Sequence, residues 1–189
     1  MASETEIAAM AMVLLGQPPI IDIDDTSVPN AVKCKAALPI TRDAMLREYP
    51  WAFAIARIDL TADVSAPAFG YSYKFQLPAD CLRVLGVSDN STPYVIEGQY
   101  LFADVDAISV RYVQRVIAAG MFDSLFTECL AIRLARDLAY SILKKASMVQ
   151  AMNDLYRMTA PVARVVDSIE SRRDETDDTA VSSWVQARR

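Results

Sequence analysis

The chain contains no histidine. That removes the imidazole base of Ser-His-Asp and Cys-His catalysis, and with it the usual ligands of zinc and iron sites. An enzyme on this sequence would have to work with carboxylates, lysine, tyrosine or a serine–lysine pair. Cysteine is scarce: Cys34, Cys81 and Cys129 are an odd number with no CxxC. Each sits among apolar residues, which predicts buried free thiols in a reducing compartment. No run of about 18 apolar residues occurs, so no membrane span is expected. The opening MASETEIAAM is acidic where a signal peptide is basic, so no export signal is expected. Positive charge is also short, with 19 Lys and Arg against 24 Asp and Glu and a net charge of −5. Tight nucleic-acid binders neutralise phosphates with Lys and Arg, so the chain as a whole is not built to grip DNA.

What is abundant is apolar surface. The 189 residues are 53% hydrophobic with only 5 glycines. That suits one domain, or one domain with an insertion. The densest stretch, Phe122 to Lys145, follows Gly120 and holds no Gly or Pro. Its Leu, Ala, Arg and Glu favour helix. Phe122, Leu125, Cys129, Ile132, Ala139 and Leu143 form one apolar stripe, and Phe126, Leu130, Leu134, Leu138 and Ile142 a second. A helix apolar nearly all round is a buried one, and at about 36 Å it would be a central post. Arg133, Arg136 and Asp137 interrupt it. Either Arg133 and Asp137 pair at i, i+4, or these residues face a neighbouring subunit.

Ahead of that post, Ser3 and Glu6 have capping-box spacing before Ile7, Met10, Ala11 and Leu14, and Gly16 stands where a helix-ending glycine belongs. A first helix over about 4–15 is predicted. Gln17 to Val28 reads as a loop. Its Asp22, Asp24 and Asp25 lack the glycine and closing glutamate of an EF-hand, so solvated turns are expected rather than a metal. Pro29 suits a first helical position, and a second helix runs to about Glu48 with Ala31, Cys34, Ala37, Leu38, Met45 and Leu46. Pro39 should kink or break it near Ala37. Trp51 and Phe53 follow as hinge packing.

From about Ala56 the period becomes two: Ile58, Leu60, Ala62 and Val64, then Tyr71, Tyr73 and Phe75, then Leu82 to Val87, a hairpin turning at Glu97-Gly98, and Ile108 to Val113. Five or six strands are predicted. Tyr71, Tyr73, Tyr94 and Tyr100 could make a sugar or base platform. The sequence shows no basic companion patch, so ordinary strand faces or a protein interface are the expected reading. A last helix is predicted over about 148–170, opened by a Ser147/Gln150 box, striped by Met148, Met152, Leu155, Val162, Val166 and Ile169, and kinked by Pro161 near Met158. Joined to the central post by a short turn, it makes an antiparallel hairpin. The run Ser171 to Asp178 has no apolar residue, and Trp184 with Arg188-Arg189 follows. Trp is enriched at interface hot spots, so this end is read as a docking anchor against the alternative of a loose tail with an incidental Trp.

There is no phosphate loop, GxSxG or HExxH, and no carboxylate pair stands out for glycoside hydrolysis. No catalytic residue, cofactor or metal site is expected. The predicted fold is α+β, mainly α: an antiparallel bundle of about four helices with an inserted small antiparallel β unit and an extended C-terminal tail. Its parts are residues 1–55, 56–115, 116–170 and 171–189.

The order of motifs resembles a family, the head-to-tail adaptors of short-tailed bacteriophages of the tail tubular protein A type. The resemblance covers about residues 7–170. It begins at Leu14-Leu15-Gly16 and continues through Ala31, Cys34 and the run from Arg42 to Ala54, where Pro50-Trp51-Ala52-Phe53-Ala54 matches a Pro-Trp-Asn-Phe-Ala signature with Ala52 in place of the common Asn. Tyr73 to Val84, with Leu77, Pro78, Asp80, Cys81 and Leu82, is similar to a Y-x-L-P-x-D-C-L-R-V segment and is the most specific match. Ile96-Glu97-Gly98 with Leu101 and Asp104, Arg111-Tyr112, and the helix Phe126 to Ala139 follow in the same order.

The resemblance implies a structural role and no enzyme activity. Such adaptors form a ring, usually dodecameric, below the portal protein, extend the DNA channel, and give the tail nozzle or tail tube its platform. The expected location is then the virion at the head–tail interface, and the host cytoplasm during assembly. The helical part would meet neighbours and portal, and the β part would help face the tail. Trp184, Arg188 and Arg189 would contact the portal or an adjacent subunit, as would Arg133 and Arg136 on the sharper reading. DNA would pass through without tight binding, since an acidic ring repels it. Two other classes stay open: a wall-degrading hydrolase carried by a phage tail, and a non-viral helical interaction module.

Overall fold

The computed structural model describes residues 2–89 and 91–171. Trp184, Arg188 and Arg189 lie outside the described residues, as does nearly all of the predicted tail. Within them the chain is mixed α+β, with four α-helices and two small antiparallel sheets. It divides into two compact units, residues 2–38 with 122–171 and residues 39–121.

In the first unit, α1 (Glu4–Leu14) starts as predicted. Glu6 donates its backbone N–H to Ser3 Oγ at 3.1 Å, and Ser3 donates its own to the Glu6 carboxylate at 2.8 Å. Gly16, at φ +67°, ends it, with the N–H groups of Gly16 and Gln17 bonded to the carbonyls of Val13 and Met12 at 2.9 Å each. α2 (Pro29–Glu48) begins in this unit and ends in the other. α3 (Ser124–Leu143) is the central post. Phe126, Leu130 and Leu134 are fully enclosed, with Cys129, Ile132, Ala135 and Leu138 buried around them. Burying each large apolar side chain is worth about 1.5–3 kcal/mol. Asp123 caps its start, accepting the N–H groups of Leu125 at 2.9 Å and Phe126 at 3.3 Å.

The expected start of the last helix is corrected here. Lys144 takes φ 55°, in the left-handed region, and donates its N–H to the Tyr140 carbonyl at 3.0 Å. The chain therefore turns within Lys144-Lys145, and α4 (Ala146–Ser171) starts at once. The Ser147/Gln150 box does not form: Ser147 is already helical, and Gln150 Nε2 donates forward to Asp154 Oδ1 at 2.9 Å. Of the kink or break expected at Pro39 the break does not occur, and α4, for which a kink was expected at Pro161, is likewise continuous. Both prolines are exposed, so the carbonyl deprived of a helical N–H lies on the watered side. On α4 the buried residues are Met152, Tyr156, Ala160, Ala163 and Asp167. Of the predicted stripe, Met152 belongs to that face, whereas Val162 and Ile169 are exposed. α3 and α4 run antiparallel: Arg133 meets Tyr156, Cys129 meets Thr159, and Leu125 lies by Val162.

In the second unit, β1 (Ile55–Thr61), β3 (Cys81–Val87) and β6 (Ala107–Gln114) form a sheet in the order β1-β6-β3. β2 (Tyr73–Gln76), β4 (Tyr94–Glu97) and β5 (Tyr100–Ala103) form another in the order β2-β5-β4. Leu60, Phe75, Val87, Leu101, Ile108, Val110 and Tyr112 make their shared core. Glu97 pairs with Tyr100 across a two-residue turn, and Gly98 there takes φ +61°, as the first position of a type II′ turn requires. β3 carries bulges between Cys81 and Arg83 and between Val84 and Gly86. This unit is wider than the predicted insertion at 56–115, because Trp51 and the end of α2 belong to it. Trp51 is buried and donates from Nε1 to the Met45 carbonyl at 3.3 Å.

All three cysteines are free. Cys34 and Cys129 are buried in the first unit, and Cys81 is half-buried in the second.

Candidate interaction surfaces

The sequence singles out Arg133 and Arg136 as interface residues. The structure brings them together on one tyrosine. Their guanidinium carbons lie 5.6 and 5.7 Å from the ring centre of Tyr156, within cation–π range. Arg133 also donates from Nη1 to the Tyr156 hydroxyl at 3.3 Å. Arg136 pairs with its neighbour Asp137, Nη2 to Oδ1, at 2.7 Å. Tyr156 itself is buried. The two arginines thus fasten α4 to α3 within one chain, and only their half-exposed edges are left for a neighbour.

A surface the sequence analysis missed lies on the other side of α4. Met158, Val162, Val165 and Ile169 are 73%, 59%, 56% and 63% exposed. Their steps of four, three and four residues are those of an a/d seam. The predicted stripe had merged this seam with the face toward α3, because Val162 and Ile169 are as apolar as Met152. The signal was present: Tyr156, Ala160 and Ala163 form a buried line of their own, offset by two residues from the aliphatic one. Beside the seam, Leu125 and Cys129 of α3 with Leu155, Met158, Val162 and Ala163 of α4 line an apolar groove of about 230 Å³.

The motif residues of the resemblance behave as structural anchors. Trp51 stacks on Phe53 with ring centres 6.5 Å apart and meets Tyr49 edge-on at 4.9 Å. Leu77 is buried and Pro78 half-buried. The Pro78 carbonyl accepts the Cys81 N–H at 2.9 Å, closing the turn into β3. Asp80 accepts Gln114 Nε2 at 2.7 Å and the Tyr112 hydroxyl at 3.5 Å, and its carbonyl accepts the Arg115 N–H at 2.7 Å. Leu82 contributes its carbonyl to Arg47 Nη1. In return Arg83 reaches the Glu48 carbonyl at 3.4 Å, a cation at a helix C-terminus where the dipole favours it. Asp43 sits between Arg42 and Arg115, at 2.8 Å from each. These contacts explain the spacing of the D-C-L-R segment through folding rather than chemistry.

The aspartates of the first loop make turns. Asp22 accepts the Asp24 N–H at 2.9 Å, Asp25 accepts both the N–H and hydroxyl of Ser27, and Asp24 pairs with Lys35 at 2.6 Å. The same Asp-x-Ser turn recurs at Asp63–Ser65 and Asp89–Ser91. In each the serine's hydrogen bonds hold the aspartate pKa below its usual value. No group of three potential ligands is arranged to hold a metal ion among the described residues, and none of their helices is long and apolar enough to cross a membrane. Of the four tyrosines weighed as a platform, Tyr94 and Tyr100 are half-buried on the β2-β5-β4 sheet, and Lys74 Nζ lies 5.2 Å from the Tyr100 ring centre. Comparison with family models and with curated proteins finds no match for this chain.

Proposed function

We propose that this protein is a structural head-to-tail connector of a short-tailed bacteriophage. It would form a ring, usually of twelve copies, under the portal protein. The ring extends the DNA channel, offers the tail nozzle or tail tube a platform, and resides in the virion after assembly in the host cytoplasm. The observation that supports this reading most is the α4 seam. A chain of net charge −5 that leaves Met158, Val162, Val165 and Ile169 in water has an apolar face suited to another protein surface. A ring supplies one on every subunit, because a heterologous contact repeats until it closes. The helices then act as a bundle completed by neighbours. Trp184, Arg188 and Arg189 are the residues assigned to the portal or the adjacent subunit.

The test is the mass of the purified chain by light scattering, alone and mixed with the portal ring of the same virus. About twelve copies joining the portal is the expected result. A stable monomer or dimer that ignores the portal would favour a non-viral interaction module. Trp184→Ala should weaken portal binding, and full assembly with that variant would remove the tail from the docking surface.

A further inference from the structure

The register of the β1-β6-β3 sheet sets Arg57 directly opposite Arg111, and Arg111 opposite Gly86. Like charges directly opposite on neighbouring strands destabilise a sheet. Both side chains are exposed. Unlike Arg42, Arg115 and Arg136, each set against an aspartate, neither has an acidic partner within 4 Å among the described residues. Gly86 leaves the place opposite Arg111 open: a Cβ there would meet nothing within 4 Å. The β-bulge just before Gly86 sets that register. The result is a cleft of about 370 Å³ bordered by Arg57 and Arg111, with Ser88 and Ser109 beside them. Ser88 is fixed there by its N–H to the Ser109 carbonyl at 2.9 Å. Among the described residues, the side chains bordering it offer two guanidiniums and two hydroxyls and no carboxylate. The nearest acid by register is Asp59, opposite Ser109, and it does not border the cleft.

We infer that this cleft binds a phosphate group through Arg57 and Arg111. A guanidinium presents paired N–H donors that match two oxygens of one anion. Two of them on adjacent strands can share one phosphate group, which carries one negative charge as a diester and nearly two as a monoester, and the anion relieves the repulsion between them. Ser88 and Ser109 can donate to its other oxygens. The phosphate can belong to a free small molecule or to a nucleic-acid backbone. The site does not depend on the connector reading, since it rests on one sheet of one chain.

The experiment follows the thermal midpoint of the full chain in sodium phosphate against sodium chloride at matched ionic strength. The double variant Arg57→Gln/Arg111→Gln is run beside it. Phosphate at several times the dissociation constant should raise the wild-type midpoint by about 2–4 °C, and the variant should lose that rise. In chloride alone the variant should melt no lower than wild type, because the opposed charges are gone. An equal rise in both proteins means general exclusion of phosphate from protein surface and overturns the proposal. So does an equal, variant-sensitive rise with polyglutamate, which would make this a carboxylate site. A short DNA duplex separates the sources. Weak binding whose log–log salt slope shrinks by about two in the variant points to nucleic-acid phosphates, and binding of free phosphate without the duplex points to a small ligand.

Discussion

Asp80 ties β3 to β6 through one carboxylate and one carbonyl, holding Gln114, Tyr112 and the backbone of Arg115. Asp80→Ala should cost about 1.5–3 kcal/mol in urea denaturation, the range for a hydrogen bond to a charged group. Asp80→Asn should recover part of it. The Asp-x-Ser turns make a pH prediction. Their folded pKa values lie below the usual 3.8, so the stability they contribute is present above that value and is lost as pH falls through the lower folded one. Asp25→Asn should therefore flatten the acid limb of stability against pH. At this scale the sequence was legible for partners close in the chain at α1, though not for the equally local Ser147/Gln150 box. The Ser3–Glu6 box and Gly16 are local geometry, and both stand as read. Arg57 and Arg111 were invisible as a pair, because only strand register puts them side by side. That is why the sequence shows no basic patch.

Helix α4 carries two apolar lines and needs only one to fold. Tyr156, Ala160 and Ala163 face α3, where the two alanines leave room for a close approach. Val165→Asp on the opposite seam should leave the melting of the isolated chain within about 0.5 kcal/mol, as surface substitutions do. If the proposed ring closes through this seam, the same variant should lose the ring by light scattering. Pro161 is the weak point of this helix. Pro161→Ala restores an amide donor to an exposed turn and should stabilise the chain by about 1–2 kcal/mol, seen as a higher urea midpoint. The helix continues through Pro161. Packing of Met152, Tyr156 and Ala163 on α3 outweighs one missing hydrogen bond.

For the molecule as a whole, alternation of period told helices from strands, and all six strands fall in the region where the period is two. The division between units was less legible. It falls at Leu38/Pro39, inside α2, because Arg47 and Trp51 commit the helix end to the strands through contacts with Leu82 and Met45. No composition shift marks that place. The global pH response should be alkaline. Burial raises the Cys34 thiol from 9.0 to about 11, and burial also raises Cys81, Cys129 and Tyr112. An unfolded thiol loses its proton near 9 while the folded one keeps it. The stability involved is thus complete below pH 9 and is lost as pH rises toward 11. Urea midpoints at about pH 8 and about pH 10.5 should differ, and Cys34→Ala should narrow the gap.

The placement of those three thiols gives the protein a built-in clock for its own opening. Two are sealed in one unit and the third is half-covered in the other. A thiol-reactive dye added to the native chain should therefore label in separate phases. Cys81 should go first, at a rate set by breathing of the strands, and Cys34 and Cys129 later, when the helices part. The interval between phases measures how independently the two units come undone, and a ring that clasps its subunits would lengthen the second phase and leave the first unchanged.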